Sequence, residues 1–484
     1  MADTTPQVTV SGGTLAGATH DGVNAFLGIP YAAPPLGERR FLPPEPAEPW
    51  RGLRAADRHG PSAPQGVPSP GRTLVDLSVD EENEDCLTLG VWTPDLSPAE
   101  PQPVMVWIHG GAFVAGGAPV PAYDGSRLAA KGVVAVSINY RLGLLGWLRC
   151  EQLGATGNQG LADQLAALEW VREEIRAFGG DPDNVTVFGE SAGAGSIAAL
   201  LSGNRDLPIR RAILQSGSHH LCRSTDAADE VCDRVCEAAA GDLHSLRTLP
   251  LSEIRRIQEE AAPRSAGVLF GPVTDGDLVA LDPAAALADG AGSGVDVLVG
   301  TNVDEMGFFW ARDERFDEVS DEHLEGMARR WTGRPGEVLA AYREARAQRV
   351  NGLDNRSVAM AMGSDWTFRV PAMKLAGWQS DHAPTWAYLF DWASPRFEGL
   401  AGSAHTLEVP FVMGTHSHPT VADFVGDGPE AAALSAEMMD VWVGFATRGQ
   451  CDWPRYDTDR RPTRVFGSGG VENDPMGAEL DAWG

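Results

Sequence analysis

The stretch Gly189-Glu190-Ser191-Ala192-Gly193 directly follows the apolar run Val185-Thr186-Val187-Phe188. A G-x-S-x-G pattern between a strand and a helix predicts a sharp turn with the serine at its tip. Such a turn leaves no room for bulk two positions before or after the serine, which accounts for glycine at 189 and 193. A serine held in this way presents its hydroxyl to a neighbouring base, as a nucleophile requires.

The surroundings of this pentapeptide separate it from a chance match in a chain with 56 glycines. Upstream, residues 178–184 form a cluster of turn-forming residues that ends one helix and begins the strand. Downstream, residues 192–202 are small and apolar, as expected of a helix packed closely on a sheet. Strands and helices alternate from 87 to 217, which predicts a mostly parallel central sheet flanked by helices. The predicted fold class is α/β, of the α/β-hydrolase type.

A second glycine-rich segment, His109-Gly110-Gly111-Ala112-Phe113, follows the apolar strand at 104–108. Acyl transfer needs hydrogen-bond donors aimed at the oxyanion that forms on serine attack, and backbone N–H groups beside small side chains serve this purpose. One donor is expected from Ala192, the residue after the nucleophile. The others would come from Gly110, Gly111 or Ala112, and spacing does not choose among them. The alternative interpretation is an ordinary turn between a strand and a helix.

The charge of the chain narrows the classes of partner. The 484 residues have a formal net charge of −29 and a pI near 4.7, which disfavours nucleic acids and anionic membrane surfaces. Residues 1–6 are polar and lack the apolar core of a secretory signal, and no apolar run approaches the roughly 18 residues of a membrane span. We therefore expect a cytoplasmic protein whose partner is a small molecule. The sequence leaves the oligomeric state open.

Several other segments, together with those around Ser191 and Gly111, resemble the type-B carboxylesterases. The resemblance extends over about residues 8–460, nearly the whole chain. The further matching segments are 26–32, 34–37, 84–89, 139–143, 157–164, 178–193, 215–217, 300–305, and His405 with Glu408.

This resemblance implies an acid and a base. The family's acid is the glutamate of a D-E-G motif, which here is Glu305, although Met306 stands where glycine is usual. The family's base is the histidine of an H-x-x-E loop, which here is His405. The order Ser191, Glu305, His405 is the α/β-hydrolase order of nucleophile, acid and base. The resemblance also implies that the oxyanion donors are the N–H groups of Gly111, Ala112 and Ala192.

Two aspartates compete with Glu305 for the role of the acid. Asp275 lies in a Thr-Asp-Gly sequence that is typical of a structural turn. Asp304 is adjacent to Glu305, so the directions of the two side chains must decide between them. We expect Glu305, because it matches the family position and its longer side chain reaches further.

Glu190 and Phe113 are candidate pocket residues. In the cholinesterases, which the chain resembles, the glutamate beside the nucleophile lies in the pocket and tunes the histidine. The alternative for Glu190 is a structural carboxylate that is hydrogen-bonded beneath the turn.

The cysteines and one ion pair complete the expectations. Secreted relatives bridge the cysteine equivalent to Cys86 to a partner upstream, but no cysteine precedes Cys86 here, which fits a reducing compartment. Cys232 and Cys236 could form a redox or metal pair at helical spacing, although two half-buried thiols are the simpler interpretation. The resemblance further implies a structural pair between Glu84 and Arg40.

The proposed site residues are spread over most of the chain, so we predict a single domain over residues 1–484. Residues 8–60 are expected to form a β-rich N-terminal segment. Residues 222–260 and 313–380 are charged and helix-prone, and we expect them to form helical insertions over the active site. Residues 467–484 are rich in glycine and acidic residues, and we expect this tail to be disordered.

The predicted function is hydrolysis of carboxylic esters through an acyl-enzyme intermediate on serine. An amidase, a carbamate hydrolase or a thioesterase with the same triad is the alternative, because the choice of leaving group depends on pocket shape. A more distant alternative is a non-catalytic adhesion-type module. The mechanism needs no metal and no organic cofactor, and we expect none.

Overall fold

The structure, a computed structural model, describes residues 5–65, 78–262, 269–316, 318–349 and 354–484. Its strands are β1 (Gln7–Val10), β2 (Gly13–Ala16), β3 (Ala18–His20), β4 (Val23–Pro30), β5 (Leu53–Ala55), β6 (Thr88–Thr93), β7 (Gln102–Ile108), β8 (Val134–Ile138), β9 (Arg149–Cys150), β10 (Ala155–Thr156), β11 (Gly180–Glu190), β12 (Arg211–Gln215), β13 (Asp296–Asn302), β14 (Thr385–Phe390), β15 (Pro462–Phe466) and β16 (Val471–Asn473).

The α-helices are α1 (Ser126–Ala129), α2 (Gly143–Trp147), α3 (Gln159–Glu174), α4 (Ala192–Ser202), α5 (Thr225–Ala238), α6 (Leu251–Ala261), α7 (Pro283–Ala288), α8 (Gly307–Trp310), α9 (Asp321–Trp331), α10 (Pro335–Arg349), α11 (Asn355–Ser364), α12 (Val370–Ser380), α13 (Val409–Met413), α14 (Ala422–Val425), α15 (Pro429–Arg448) and α16 (Gly477–Asp481). A single π-helical turn, Asp365–Arg369, joins α11 to α12.

An 11-stranded sheet forms the centre of the fold, in the order β16-β15-β14-β13-β12-β11-β7-β8-β6-β4-β3. Strands β8, β7, β11, β12, β13, β14 and β15 run parallel, and the pairs toward the two edges are antiparallel. The inner strands are almost entirely buried because helices cover both faces. The expected mostly parallel α/β sheet is confirmed.

Two hydrophobic layers hold the helices to the sheet. One layer contains Leu161 and Val171 of α3 together with Ile197 of α4. The other contains Trp442 and Phe445 of α15. Because the parallel strands are sandwiched between these layers, their carboxyl ends all open at the same edge, where loops can carry chemistry.

Helices also fill most of the two segments that we expected to be helical insertions. Helix α5 lies within 222–260, and α6 ends one residue beyond that range. Helices α9 to α12 lie within 313–380. The second group has a core of its own, in which Leu324, Tyr342 and Met362 are buried. Residues 317 and 350–353 of this expected insertion lie outside the described residues.

The C-terminal tail differs from the expectation of disorder. Strand β16 pairs antiparallel with β15, helix α16 follows, and Trp483 is buried against the core of the second helical group. Composition misled the prediction, because a few well-placed apolar residues anchor a segment that is otherwise glycine-rich and acidic.

The expected ion pair between Arg40 and Glu84 is present and buried. Nη2 and Nε of Arg40 donate to the two carboxylate oxygens of Glu84 at 2.6 and 2.7 Å. Nη1 of Arg40 donates to the carbonyl oxygens of Leu246 and Leu249, so the pair ties the N-terminal segment to the loop before α6.

All six cysteines are free thiols in the structure. Among the residues described, we find no helix with the length and apolarity needed to cross a membrane.

Candidate active site

Strand β11 ends at Glu190, and the chain turns sharply through Ser191 into α4. Ser191 has φ 54° and ψ −117°, which is strained for a residue with a side chain. Close packing keeps the turn free of bulk. A Cβ at Gly193 would collide with the carbonyl oxygen of Ile108, and one at Gly189 would lie 2.7 Å from that oxygen. The sequence predicted this strand, tight turn and helix correctly.

The glycine-rich loop after β7 lies against this turn. Gly111, Ala112 and Phe113 have positive φ values of 108°, 53° and 63°, so the loop folds back sharply. A Cβ at Gly110 would lie 3.2 Å from Cβ of Ser191, so the loop backbone passes directly beside the serine. The structure therefore brings the loop that was expected to supply oxyanion donors next to Ser191.

The ring of Phe113 lies in the core. It is fully buried and packs edge-on against Trp147 with 4.7 Å between ring centroids. The carbonyl oxygen of Phe113 accepts a hydrogen bond from the N–H of Gly143 at 2.7 Å. The expectation that Phe113 lines a pocket is therefore wrong, because the ring anchors the loop to α2. An aromatic residue fits either role, and the sequence contained no signal to separate them.

His405 and Glu305 are in direct contact. Nδ1 of His405 lies 2.6 Å from Oε2 of Glu305, and the N–H of His405 donates to the carbonyl oxygen of Glu305 at 3.2 Å. Glu305 follows β13 and His405 follows β14, and these neighbouring strands are parallel. Adjacent carboxyl ends thus bring together two residues that are 100 positions apart. Both side chains are buried.

The second oxygen of Glu305 has its own partners. The hydroxyl of Ser216 donates to Oε1 at 2.5 Å, and the N–H of Asn302 donates to the same oxygen at 2.8 Å. These two hydrogen bonds fix the direction of the carboxylate. Sequence reasoning gave Ser216 and Asn302 no role, although the matching segments 215–217 and 300–305 contained both.

The competing aspartates face elsewhere. Oδ2 of Asp304 accepts the N–H of Ser403 at 3.1 Å. Asp275 accepts Nδ2 of Asn158 and the N–H groups of two residues in its own turn, which makes it a turn carboxylate. Of the three candidate acids, Glu305 is the one in contact with His405.

Met306 is accommodated without distortion. Its backbone is helical, with φ −69° and ψ −9°, and its side chain packs with Met360 and Phe368. The position that cannot take a side chain is the next one, because a Cβ at Gly307 would collide with the carbonyl oxygen of Ala401.

Glu190 lies on the other side of the imidazole. Its Oε1 is 3.1 Å from Nε2 of His405, and both side chains are at most 3% exposed. The same carboxylate is close to the glycine-rich loop, since a Cβ at Gly110 would lie 2.6 Å from Oε2. Glu190 is therefore within reach of the histidine, as a tuning role requires, and it is also buried beneath the turn.

A third carboxylate, Glu408, supports the ends of β12 and β13. Oε1 accepts Nε2 of Gln215 at 3.1 Å, and Oε2 accepts Nδ2 of Asn302 at 2.8 Å. Oε1 of Gln215 in turn accepts Nε1 of Trp442 at 3.0 Å. This buried network joins the two strand ends to the loop of His405.

The burial of Glu190 next to His405 shifts the pKa values of both groups. Burial raises the pKa of Glu190 well above its ordinary value, and Glu408 and Glu305 raise it further. Burial would lower the pKa of His405, but the nearby Glu190 and Glu305 outweigh it and raise that pKa to about 9. Glu190 and His405 therefore hold at least one proton between them at neutral pH.

Three aromatic rings surround the imidazole. The centroids of Phe368, Phe309 and Phe308 lie 4.5, 5.5 and 6.0 Å from that of His405. Phe309 is 48% exposed and stacks on Phe368 with an interplanar angle of 8°. These rings make an apolar wall next to the histidine. Sequence analysis did not identify them, although Phe308 and Phe309 closely follow Glu305.

Comparisons with known proteins show which family the chain belongs to. The model of the carboxylesterase family matches residues 4–467. The para-nitrobenzyl esterase of Bacillus subtilis (strain 168) is 37% identical over 486 residues, which cover 97% of this chain and 96% of that protein. The fumonisin B1 esterase of Sphingopyxis macrogoltabida is 34% identical over 482 residues, which cover 94% of this chain and 85% of that protein.

Among solved structures, the Geobacillus stearothermophilus carboxylesterase EST55 superposes with a TM-score of 0.88 at 37% identity, over 99% of this chain and 100% of that one. Similarity of this extent covers the sheet, the helical insertions and every segment of the candidate site. The chain therefore belongs to the carboxylesterase family and is a carboxylic ester hydrolase.

Proposed function

We propose that hydrolysis proceeds on Ser191, with His405 as general base and acid and Glu305 as the carboxylate that orients His405. The Ser191 hydroxyl gives its proton to Nε2 of His405 as its oxygen bonds to the ester carbonyl carbon. The N–H groups of Gly111, Ala112 and Ala192 stabilise the oxyanion. The alcohol then leaves with the proton from His405. Water repeats the sequence on the acyl-enzyme and releases the acid.

The observation that supports this proposal most strongly is the 2.6 Å contact between Nδ1 of His405 and Oε2 of Glu305. It leaves Nε2 as the nitrogen available for proton transfer and stabilises the imidazolium that forms. Nε2 is 3.1 Å from Glu190, and Glu190 directly precedes Ser191 in the turn. His405 is thus in contact with the residue next to the serine in the chain.

Glu190 has a separate role in this proposal. It sets the pKa of His405 from the Nε2 side and accepts or returns the proton that the pair holds. The proposal is supported by the full burial of both groups, because a charge inside a dry site acts more strongly than one in water.

The substrate that we propose is an ester with an apolar group beside the reacting carbonyl. The rings of Phe368, Phe309 and Phe308 provide such a surface, and one of them is half exposed. The Bacillus subtilis relative is named for esters of an aromatic alcohol, which agrees with an apolar wall. A formal net charge of −29 supports a neutral small molecule over a polyanion.

A reactive organophosphorus probe tests the proposal directly. We expect one adduct, on Ser191, and loss of p-nitrophenyl ester hydrolysis in step with labelling. Ser191→Ala should remain folded, take up no probe and hydrolyse esters at the background rate. Labelling of Ser216 or Ser196 with Ser191 untouched would rule the assignment out. A panel of p-nitrophenyl esters, one anilide, one carbamate and one thioester then defines the leaving group.

We propose the cytoplasm as the location of the protein. The support is that all six cysteines are free thiols, which suits a reducing compartment.

A further inference from the structure

The second helical group reaches His405 through a π-helical turn, Asp365–Arg369. Phe368 in this turn is nearly buried, and its ring lies 4.5 Å from the imidazole of His405. Just before the turn, Oγ of Ser364 accepts the N–H of Met306 at 3.0 Å. Single π-helical turns inside α-helices are frequently found at functional sites. This one contacts both the loop of Glu305 and the base.

A buried ion pair closes the turn. Nε and Nη2 of Arg369 donate to Oδ1 and Oδ2 of Asp365 at 2.8 and 2.6 Å, and both side chains are at most 4% exposed. A pair buried this deeply is stable only when further hydrogen bonds satisfy its remaining polar atoms. One comes from the hydroxyl of Tyr342, which donates to Oδ2 of Asp365.

Residues 475–483, at the C-terminus, provide further partners. The carbonyl oxygen of Pro475 accepts Nη1 of Arg369 at 3.2 Å. Nε1 of Trp483 donates to the hydroxyl oxygen of Tyr342 at 2.8 Å. The buried indole of Trp483 also packs against Trp366 in the turn, with 5.3 Å between ring centroids. The segment for which composition predicted disorder therefore contacts the π-helical turn at two residues, Arg369 and Trp366.

We propose that residues 475–483 are a positioning element of the active site, which acts through Tyr342, Asp365 and Arg369 to hold Phe368 against His405. This rests on the proposed function, in which His405 is the base. Phe368 limits the space beside the base, so its position determines how large an acyl group can bind there. Trp483 and Tyr342 touch no reacting atom and are positioning residues.

Hydrolysis of p-nitrophenyl acetate and p-nitrophenyl octanoate tests the proposal. Trp483→Phe keeps an aromatic ring but removes the N–H donor, and Tyr342→Phe removes the hydroxyl that links Trp483 to Asp365. We expect both variants to change the octanoate-to-acetate ratio of kcat/KM by about threefold to tenfold, mainly through KM for octanoate. The matched control is Trp331→Phe, which alters an indole in the same aromatic cluster and should leave the ratio unchanged.

A double-mutant cycle with Phe368→Ala separates positioning from general stability. If the segment acts through Phe368, Trp483→Phe should no longer change the ratio once Phe368 is removed. Equal changes with and without Phe368 would overturn the proposal, as would an unchanged ratio in both Trp483→Phe and Tyr342→Phe. If Trp483→Phe does not fold, Tyr342→Phe is used in the same cycle. Failure of the proposed function looks different, because the unaltered protein would then show no labelling of Ser191.

Discussion

Nε2 of His405 lies 3.1 Å from Oε1 of Glu190, while Nδ1 lies 2.6 Å from Oε2 of Glu305. The imidazole is thus held between two buried carboxylates. In the proposed mechanism, the contact with Glu305 leaves the ring free to act on Ser191, whereas the contact with Glu190 occupies the nitrogen that would receive the serine proton. Glu190 therefore both raises the basicity of His405 and competes for its reactive nitrogen.

Replacing Glu190 by glutamine tests this balance. We expect Glu190→Gln to lower kcat modestly, by about threefold to tenfold, because the imidazolium loses one of its two stabilising charges. The acid limb of kcat/KM should move to lower pH, since the Glu190 carboxylate raises the pKa of His405. Glu173→Gln, an exposed change of the same charge on α3, is the control. An unchanged rate and an unchanged pH profile would favour a purely structural carboxylate at 190.

The pH profile of the unaltered protein is a second prediction. The base must be neutral, so activity should fall as the pH drops through the pKa of His405. An ordinary histidine would place this limb near 6.5, but Glu190 and Glu305 overcome the effect of burial and raise the pKa to about 9. We expect the midpoint of kcat/KM for a neutral ester to lie above 6.5. A midpoint at or below 6.5 would contradict the electrostatic account of the site.

The close approach at Gly307 gives a prediction about stability. Gly307→Ala should reduce the free energy of unfolding by about 1–3 kcal/mol, because its Cβ would collide with the carbonyl oxygen of Ala401. It should also lower kcat, since the chain from 401 leads directly to His405. Gly326→Ala in α9 is the control, because a Cβ there meets nothing within 4 Å, and it should stabilise by about 0.5–1 kcal/mol. Thermal unfolding of the two variants shows whether Gly307→Ala lowers the free energy of unfolding and Gly326→Ala raises it.

Local sequence predicted the turn at Ser191 well, for a physical reason. A tight turn imposes its glycine requirement within a few residues, and the collision of a Cβ at Gly193 with Ile108 is a direct consequence of it. Local sequence could not predict the contact between the proposed acid and the proposed base. Nothing near Glu305 or His405 in the sequence shows that they touch, because strand order decides this, and the family resemblance alone indicated the pair.

Local sequence patterns could not predict the remaining contacts of the site. Ser216 meets Glu305 because β12 and β13 are neighbours in register. Phe368 reaches His405 from a separate helical group, across a π-helical turn that no periodicity predicts. Phe113 shows the converse error, since an aromatic residue near the serine was assigned to a pocket and lies in the core.

The cysteines should all titrate as thiols. We expect six free thiols per chain when the protein is denatured without reductant, because all six are free in the structure. The same count after treatment with a reducing agent is the control. Four or fewer before reduction would reveal a disulfide and would count against a reducing compartment.

The last prediction concerns which carboxylate serves His405. Glu305→Gln keeps the size of the side chain but removes the negative charge next to Nδ1. The imidazolium then loses its charged partner, and the neutral imidazole can adopt the wrong tautomer. We expect kcat to fall by about a thousandfold or more, with the fold retained because Ser216 and Asn302 can still donate to the amide oxygen. Asp304→Asn is the matched control, since an amide oxygen can still accept the N–H of Ser403, and its kcat should stay within about threefold of the unaltered protein. Both are measured at one neutral pH on one p-nitrophenyl ester. If Asp304→Asn proves the more damaging and Glu305→Gln remains near the unaltered rate, the 2.6 Å contact between Glu305 and His405 is not the one that supports catalysis.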